Sequence, residues 1–246
     1  MHELAARVAV SPQWGFTFIR IPKAANSTVA VALQQRFPQH AAPDSARASH
    51  SFRRIRPGSP ASSYRRAKHT FTPLTSLSTV QVEEMLANHF VFTVVRNPFH
   101  RVLSAYLQKF TADRYRDAFA DEVVRFGNGD LSFNAFCRWL RDGGGLNRNP
   151  HWTPQSRIIG LIGHDRLDLI GRVESLDEDL ARIVARISCD NGLHPCEQPA
   201  AFTASGPTPT HARAKAREYY DDECMAIIVG LYHDDFRKLG YADDVL

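Results

Sequence analysis

Hydrophobic positions along the chain fall into short β-rich runs that alternate with helical periodicities. Phe16 to Ile21 (FTFIRI) is the first run and reads as a buried strand, ended by Pro22. Asn26, Ser27 or Thr28 then caps a helix that continues through VAVALQQ to about Arg36. A second helix is predicted near residues 78–88, where Ser78 and Gln81 have the spacing of a capping box. Phe90 to Val95 (FVFTVV) is the clearest strand in the sequence. It runs into Arg96 and then Asn97-Pro98, an N-cap and a first-turn proline for the helical pattern HRVLSAYLQKF.

Helical patterns continue near 115–126 and 132–141, and three glycines at 143–145 break the chain. Leu167 to Val173 reads as a third buried strand, and Ser175 with Glu178 forms a second capping box opening a helix to about Ile187. The proline-rich segment 190–210 is a loop. A closing helix carries Met225, Ile228, Val229 and Tyr232 on one face. Strands alternating with helices predict an α/β fold of three layers, a central parallel sheet with helices on both faces. In such sheets ligands bind beyond the carboxyl ends of the strands.

Residues 41–68 depart from the pattern. They are rich in Ser, Pro and Ala and carry Arg47, Arg53, Arg54, Arg56, Arg65, Arg66 and Lys68 against one acid, Asp44. Such a block reads as a solvated loop, and equally as a basic flap that meets an anionic acceptor. The whole chain has 246 residues, 43% hydrophobic and 23% charged, which suits one domain over 1–246 with one sizeable core. A net charge of +4 favours an anionic ligand and is too mild to argue for nucleic acid. Cys137, Cys189, Cys196 and Cys224 form no CxxC pair, and Cys189, His194 and Cys196 lack an evident fourth metal ligand, so all four read as reduced thiols. Neither a leader peptide nor a run of about 18 apolar residues is visible. The expectation is a cytoplasmic protein, or one peripheral at the inner membrane face, with its oligomeric state unreadable.

Two segments carry candidate chemistry. In Ile21-Pro22-Lys23-Ala24-Ala25-Asn26-Ser27-Thr28, a strand passes through small residues to a helix start. Backbone N–H groups and the helix dipole make that junction favourable for an anion, with Lys23 adding a full charge and Ser27 and Thr28 adding hydroxyls. The pattern GxxxxGK[ST] is missing, so a Walker-type NTPase is unsupported. An ordinary capped helix with a surface lysine fits the same residues. In Val94-Val95-Arg96-Asn97-Pro98-Phe99-His100-Arg101-Val102-Leu103-Ser104-Ala105-Tyr106, Arg96 leaves a buried strand at its carboxyl end with a planar fork suited to phosphate oxygens. Arg101 either serves the same anion or sits in solvent, and a corner arginine paired with a carboxylate is the plain alternative for Arg96.

Taken together, these segments resemble sulfotransferases that use 3′-phosphoadenosine 5′-phosphosulfate, in the carbohydrate branch that includes the Golgi chondroitin enzymes and bacterial relatives. The likeness runs over roughly residues 16–241, and takes in HWTPQ at 151–155, IGRVESLDEDL and LYHDDFRKLGY. It implies a P-loop-like nucleotide-binding fold. It implies that Lys23, Ala24, Ala25, Asn26, Ser27 and Thr28 bind the 5′-phosphosulfate, and that Arg96 and Ser104 bind the 3′-phosphate. Ala24 and Ala25 stand where some relatives carry glycine. The implied partners are the nucleotide cosubstrate and a hydroxyl-bearing acceptor, a glycan or glycolipid, and no metal is required.

Sulfuryl transfer asks mainly for positioning and charge stabilisation, with Lys23 offsetting charge on the leaving oxygen. The acceptor hydroxyl needs a base, and histidine is the first choice. By resemblance to the heparan-type enzymes the base is His69, in Ala67-Lys68-His69-Thr70-Phe71, with His151 second. His100 reads as a helix-surface residue, and Glu174 as an orienting group or a base. Arg213, Lys215 and Arg217 read as a solvated helix face, from which one side chain can cover the nucleotide. A kinase-like phosphotransferase and a non-catalytic nucleotide-binding protein are the competing readings.

Overall fold

The computed structural model describes residues 7–38, 70–111, 119–193 and 210–244. Its centre is a five-stranded sheet in the order β3-β1-β2-β4-β5. The strands are β1 (Val8–Ser11), β2 (Phe16–Ile19), β3 (Thr72–Pro73), β4 (Phe90–Val95) and β5 (Leu169–Arg172). β2, β4 and β5 run parallel, with Phe18 opposite Phe92 and Val95 opposite Arg172. β1 pairs antiparallel with both β2 and β3. The sheet is therefore mixed, where the sequence predicts a parallel one. The connection between β1 and β2 is a short 3-10 turn at Pro12–Trp14 followed by Gly15 at φ 58°, which allows only a hairpin, because parallel strands need a crossover of a dozen or more residues. The sequence pattern overlooks β1 and β3, since four-residue and two-residue strands carry little periodicity.

Ten helices are described: α1 (Asn26–Arg36), α2 (Thr79–Asn88), α3 (Pro98–Lys109), α4 (Ala120–Arg125), α5 (Phe133–Asp142), α6 (Gln155–Ile159), α7 (Leu176–Asp190), α8 (Ala212–Tyr219), α9 (Asp222–Leu231) and α10 (His233–Leu239). One sheet face buries Phe16, Phe18, Phe92 and Val94 against α1 and α7, through Val29, Leu33, Leu180 and Ile183. Phe18 and Phe92 stack across the strand pair at 5.1 Å, a cross-strand contact worth about 0.5–1.5 kcal/mol beyond its burial. On the opposite face Ile19, Val91 and Val95 meet Ile158 and Ile159 of α6 and Leu239 of α10. Val8 and Val10 meet Met85 of α2 there. Both faces are thus covered, as predicted.

A separate aromatic core joins α3, α5, α8 and α9 around Trp139, Trp152, Phe136 and Tyr106. The helix predicted from Met225, Ile228, Val229 and Tyr232 is α9, with Tyr232 at its C-cap and α10 following directly. α9 buries Cys224, Ile227 and Ile228, while Met225 and Val229 pack at the margin. Among the described residues no helix is long and apolar enough to cross a membrane.

Two of the four caps read from the sequence form, and Ser132 adds one that was not read. Ser78 and Gln81 make the reciprocal capping box, Asn97 caps α3 through its side chain, and Ser132 caps α5. Ser175 does not make the predicted box. Its hydroxyl donates instead to Asp179, whose buried carboxylate also accepts from the Arg172 amide.

Candidate active site

The parallel strands β2, β4 and β5 end at one edge of the sheet, and the two chemistry-bearing segments emerge there. After β2 the chain buries Ile21 and Pro22 and turns through residues 22–25 into α1. Lys23 and Ala25 both take left-handed backbone at φ 70° and 50°, with Ala24 between them outside that region. Non-glycine residues held there cost on the order of 1–3 kcal/mol each. Within the turn the Ala24 amide donates to the Ile21 carbonyl at 3.3 Å, which closes the turn back on the end of β2. Ala25, rather than Asn26, Ser27 or Thr28, occupies the cap position, and no side chain caps the helix. The first turn holds no acid, and the buried Asn26 Oδ1 has no hydrogen-bond partner among the described residues. The sequence reading of a side-chain cap fails because the polar residues already lie inside the first turn, at a helix start of the kind that favours anions.

Arg96 leaves β4 with its backbone fixed on both sides by one side chain. Gln155 Oε1 accepts from the Arg96 amide at 3.0 Å, and Gln155 Nε2 donates to the Arg96 carbonyl at 2.8 Å. Gln155 is itself anchored to the buried Asp235, which accepts from the Gln155 amide at 2.8 Å and the Ser156 amide at 2.7 Å. The Arg96 guanidinium donates to the Lys23 carbonyl at 3.3 Å, so the two segments touch. Burial lowers the Arg96 pKa, with Glu174 and Tyr241 opposing and Arg101 adding to the shift. Glu174 accepts from the Asn97 amide at 2.9 Å and from the Tyr241 hydroxyl at 3.0 Å. These contacts give Glu174 the orienting role at the start of α3. Lys23 Nζ donates to Gln108 Oε1 of α3 at 3.0 Å.

Arg101 corrects both readings offered for it. It is fully buried, and its guanidinium donates to the carbonyls of Pro22 at 3.0 Å, Thr153 at 2.9 Å and Pro150 at 3.0 Å. A side chain engaged in this way neither faces solvent nor reaches an anion. It ties the turn before Lys23 to the turn that carries His151.

A profile of the Sulfotransferase family matches residues 6–242. The chain belongs to this family. It is similar to Carbohydrate sulfotransferase 14 of Danio rerio, at 31% identity over 127 residues, 46% of this chain and 34% of that protein. It is similar to Carbohydrate sulfotransferase 11 of the same organism, at 30% identity over 124 residues, 43% of this chain and 35% of that one. A longer match is to Carbohydrate sulfotransferase 10 of Xenopus laevis, at 25% identity over 197 residues, 72% of this chain and 54% of that protein. The matches therefore span between a third and about half of these curated relatives. No solved structure matches the chain.

The remaining residues expected from the sulfotransferase resemblance are placed unevenly. Ser104 is buried on α3, its hydroxyl 2.8 Å from that of Thr210 just before α8. His69 and the basic stretch 41–68 lie outside the described residues. His194 and Cys196 do as well, while Cys189 is exposed and Cys137 and Cys224 are buried thiols. His100 is buried and not a helix-surface residue, because α3 turns it inward beside Arg96, and its Nε2 has no partner among the described residues. Burial, then the Arg96 charge, lowers its pKa, against Glu174. Arg213, Lys215 and Arg217 are exposed on α8, the solvated face that the sequence predicts. His151 sits partly buried in the turn that Arg101 holds, with Nδ1 2.7 Å from Asn149 Oδ1. Sequence reasoning overlooked Gln108, Asn149, Gln155 and Asp235 as working parts of the site. Single polar side chains give no periodic signal, and only the Asn149-Pro150 dipeptide marked a turn.

Proposed function

We propose that the chain is a single-domain sulfotransferase that moves a sulfuryl group from 3′-phosphoadenosine 5′-phosphosulfate to a hydroxyl of a carbohydrate acceptor. The observation that carries this reading is the meeting of the strained Lys23 turn and Arg96 at the carboxyl edge of the parallel strands. Membership of the sulfotransferase family and the names of the carbohydrate sulfotransferase relatives support it. Residues Lys23 to Thr28 hold the 5′-phosphosulfate through backbone amides, hydroxyls and the Lys23 charge. Arg96 and Ser104 hold the 3′-phosphate.

The acceptor oxygen attacks sulfur in line with the bridging oxygen, which leaves on the nucleotide. Charge grows on that oxygen, and Lys23 offsets it after giving up Gln108. The helix start adds partial positive charge that needs no reorganisation during the reaction.

Calorimetric titration with 3′-phosphoadenosine 5′-phosphate, with ATP and adenosine 5′-phosphate as controls, tests the reading. Binding that requires the 3′-phosphate is expected. A preference for ATP would turn the assignment toward a phosphotransferase.

A further inference from the structure

We infer that His151 is the base that takes the proton from the acceptor hydroxyl through Nε2, with Asn149 and Arg101 as its positioning residues. The inference rests on the proposed sulfuryl transfer and names the group which that reaction still requires. Three observations converge on it.

The first is the tautomer. Asn149 accepts from the His151 amide at 3.0 Å and lies 2.7 Å from His151 Nδ1, in both cases through the same side-chain atom. An atom that accepts from a backbone N–H is the amide oxygen, so Nδ1 must be the ring nitrogen that carries the proton. The lone pair is then on Nε2, which has no hydrogen-bond partner among the described residues. A neutral imidazole with its free lone pair fixed in direction is the form in which a histidine accepts a proton.

The second is placement. Arg101 holds the Pro150 and Thr153 carbonyls, on either side of His151, together with the Pro22 carbonyl immediately before Lys23. One rigid, fully buried guanidinium therefore fixes the imidazole relative to the lysine turn. The neighbouring Trp152 is also fully buried, and its indole nitrogen donates to the Gly145 carbonyl at 2.9 Å. The turn cannot swing without disturbing the aromatic core. His100, the described histidine beside Arg96, has its Nε2 sealed from solvent. His151 is only partly buried.

The third is the charge that surrounds the ring. Burial, then Lys109 of α3, Arg7 ahead of β1, Lys23 and Arg101, push the His151 pKa down to about 2. The ring is neutral throughout the physiological range. A nucleotide carrying phosphates and a sulfate brings negative charge among the same cations, which raises the basicity of Nε2 when the substrate is present. As the acceptor oxygen bonds to sulfur, the bond from sulfur to the bridging oxygen breaks, and the nucleotide leaves with that electron pair. The acceptor proton moves to Nε2, and the imidazolium returns it to solvent.

The test compares wild type with His151→Gln and Asn149→Asp, following release of 3′-phosphoadenosine 5′-phosphate from its phosphosulfate with desulfated chondroitin, desulfated dermatan and heparosan as acceptors. Calorimetry with 3′-phosphoadenosine 5′-phosphate serves as the control for folding and for the nucleotide site. His151→Gln is expected to lower kcat by about 10²–10⁴, the usual contribution of a positioned base, with nucleotide affinity within threefold of wild type. The acid limb of the wild-type pH–rate profile disappears with the side chain. Asn149→Asp keeps the acceptor on Nδ1–H and adds a negative charge, so it is expected to move the acid limb to higher pH, a shift that a merely structural role would not produce. A His151→Gln enzyme within threefold of wild type overturns the inference while the sulfotransferase reading stands. So does an acid limb that vanishes in His69→Ala and persists in His151→Gln, which would assign the proton to His69. A wild-type protein that neither binds the nucleotide nor turns it over removes the proposed function, and this inference with it.

Discussion

Lys23 and Arg96 depend on neighbours that carry no charge. Gln108 holds the Lys23 amine and Gln155 holds the Arg96 backbone, so each cation is positioned before any anion arrives. Lys23→Ala is expected to lower turnover by about 10²–10³, the cost of losing one stabiliser of developing charge, and to leave most of the nucleotide affinity in place. Steady-state kinetics beside calorimetry separates the two effects, and unchanged turnover would remove the role assigned to Lys23. For Arg96→Ala, a lost hydrogen bond to a charged group is worth about 1.5–3 kcal/mol, or about 10- to 150-fold in affinity. That loss should fall on 3′-phosphoadenosine 5′-phosphate and spare adenosine 5′-phosphate. Equal losses for both ligands would mean that Arg96 does not read the 3′-phosphate.

At the scale of elements, local signals located most of the helix starts. Ser78 with Gln81, and Asn97 with Pro98, stand where capping chemistry places them. Ser78→Ala is expected to destabilise the protein by about 0.5–2 kcal/mol, the usual cost of an N-cap, as read by denaturant unfolding with no change in nucleotide affinity. Two starts escaped the local rules. At α1 the cap position went to Ala25 in left-handed backbone, and at α7 the Ser175 hydroxyl was drawn to Asp179. At α1 the backbone of the turn, and at α7 a competing carboxylate one helical turn away, took the place of the expected cap. Arg101 joins separate elements. Arg101→Lys keeps the charge, but a compact ammonium cannot span three carbonyls set for a planar fork. The variant should melt several degrees lower and lose turnover beyond its loss of stability, whereas wild-type turnover would show that the Pro22 to Thr153 tie is not needed for catalysis.

For the whole molecule, the site is a set of cations and neutral histidines held together by the fold, and this makes stability depend on pH. His151 and His100 both have folded pKa values below the ordinary histidine value of 6.5. The unfolded chain therefore binds more protons than the folded one below that pH. Stability is complete above pH 6.5 and falls progressively as pH drops below it. Thermal melts from pH 8 to pH 5 should show a decline that His151→Gln makes shallower. Saturating 3′-phosphoadenosine 5′-phosphate should raise the melting temperature at every pH, because it binds only the folded state. A melting temperature independent of pH in this window would contradict the buried, neutral state of both rings.

The sequence alone determined the α/β class, the positions of the strands β2, β4 and β5 to within a few residues, though β5 is half-exposed and not buried, the caps at Ser78 and Asn97, and the two segments that carry Lys23 and Arg96. These features rest on local periodicity, capping chemistry and strand–helix punctuation, which act over a few neighbouring residues and so are written in order along the chain. The burial of His100 and the triple engagement of Arg101 were decided by packing, while the β1–β2 hairpin and the His151 tautomer are set by near neighbours that carried no readable pattern. The Arg101 contacts require groups separated by long stretches of sequence, such as Pro22, Arg101 and Pro150, to meet in one desolvated place. There an unpaired polar atom is costly, so the fold, rather than any local preference, selects the partner.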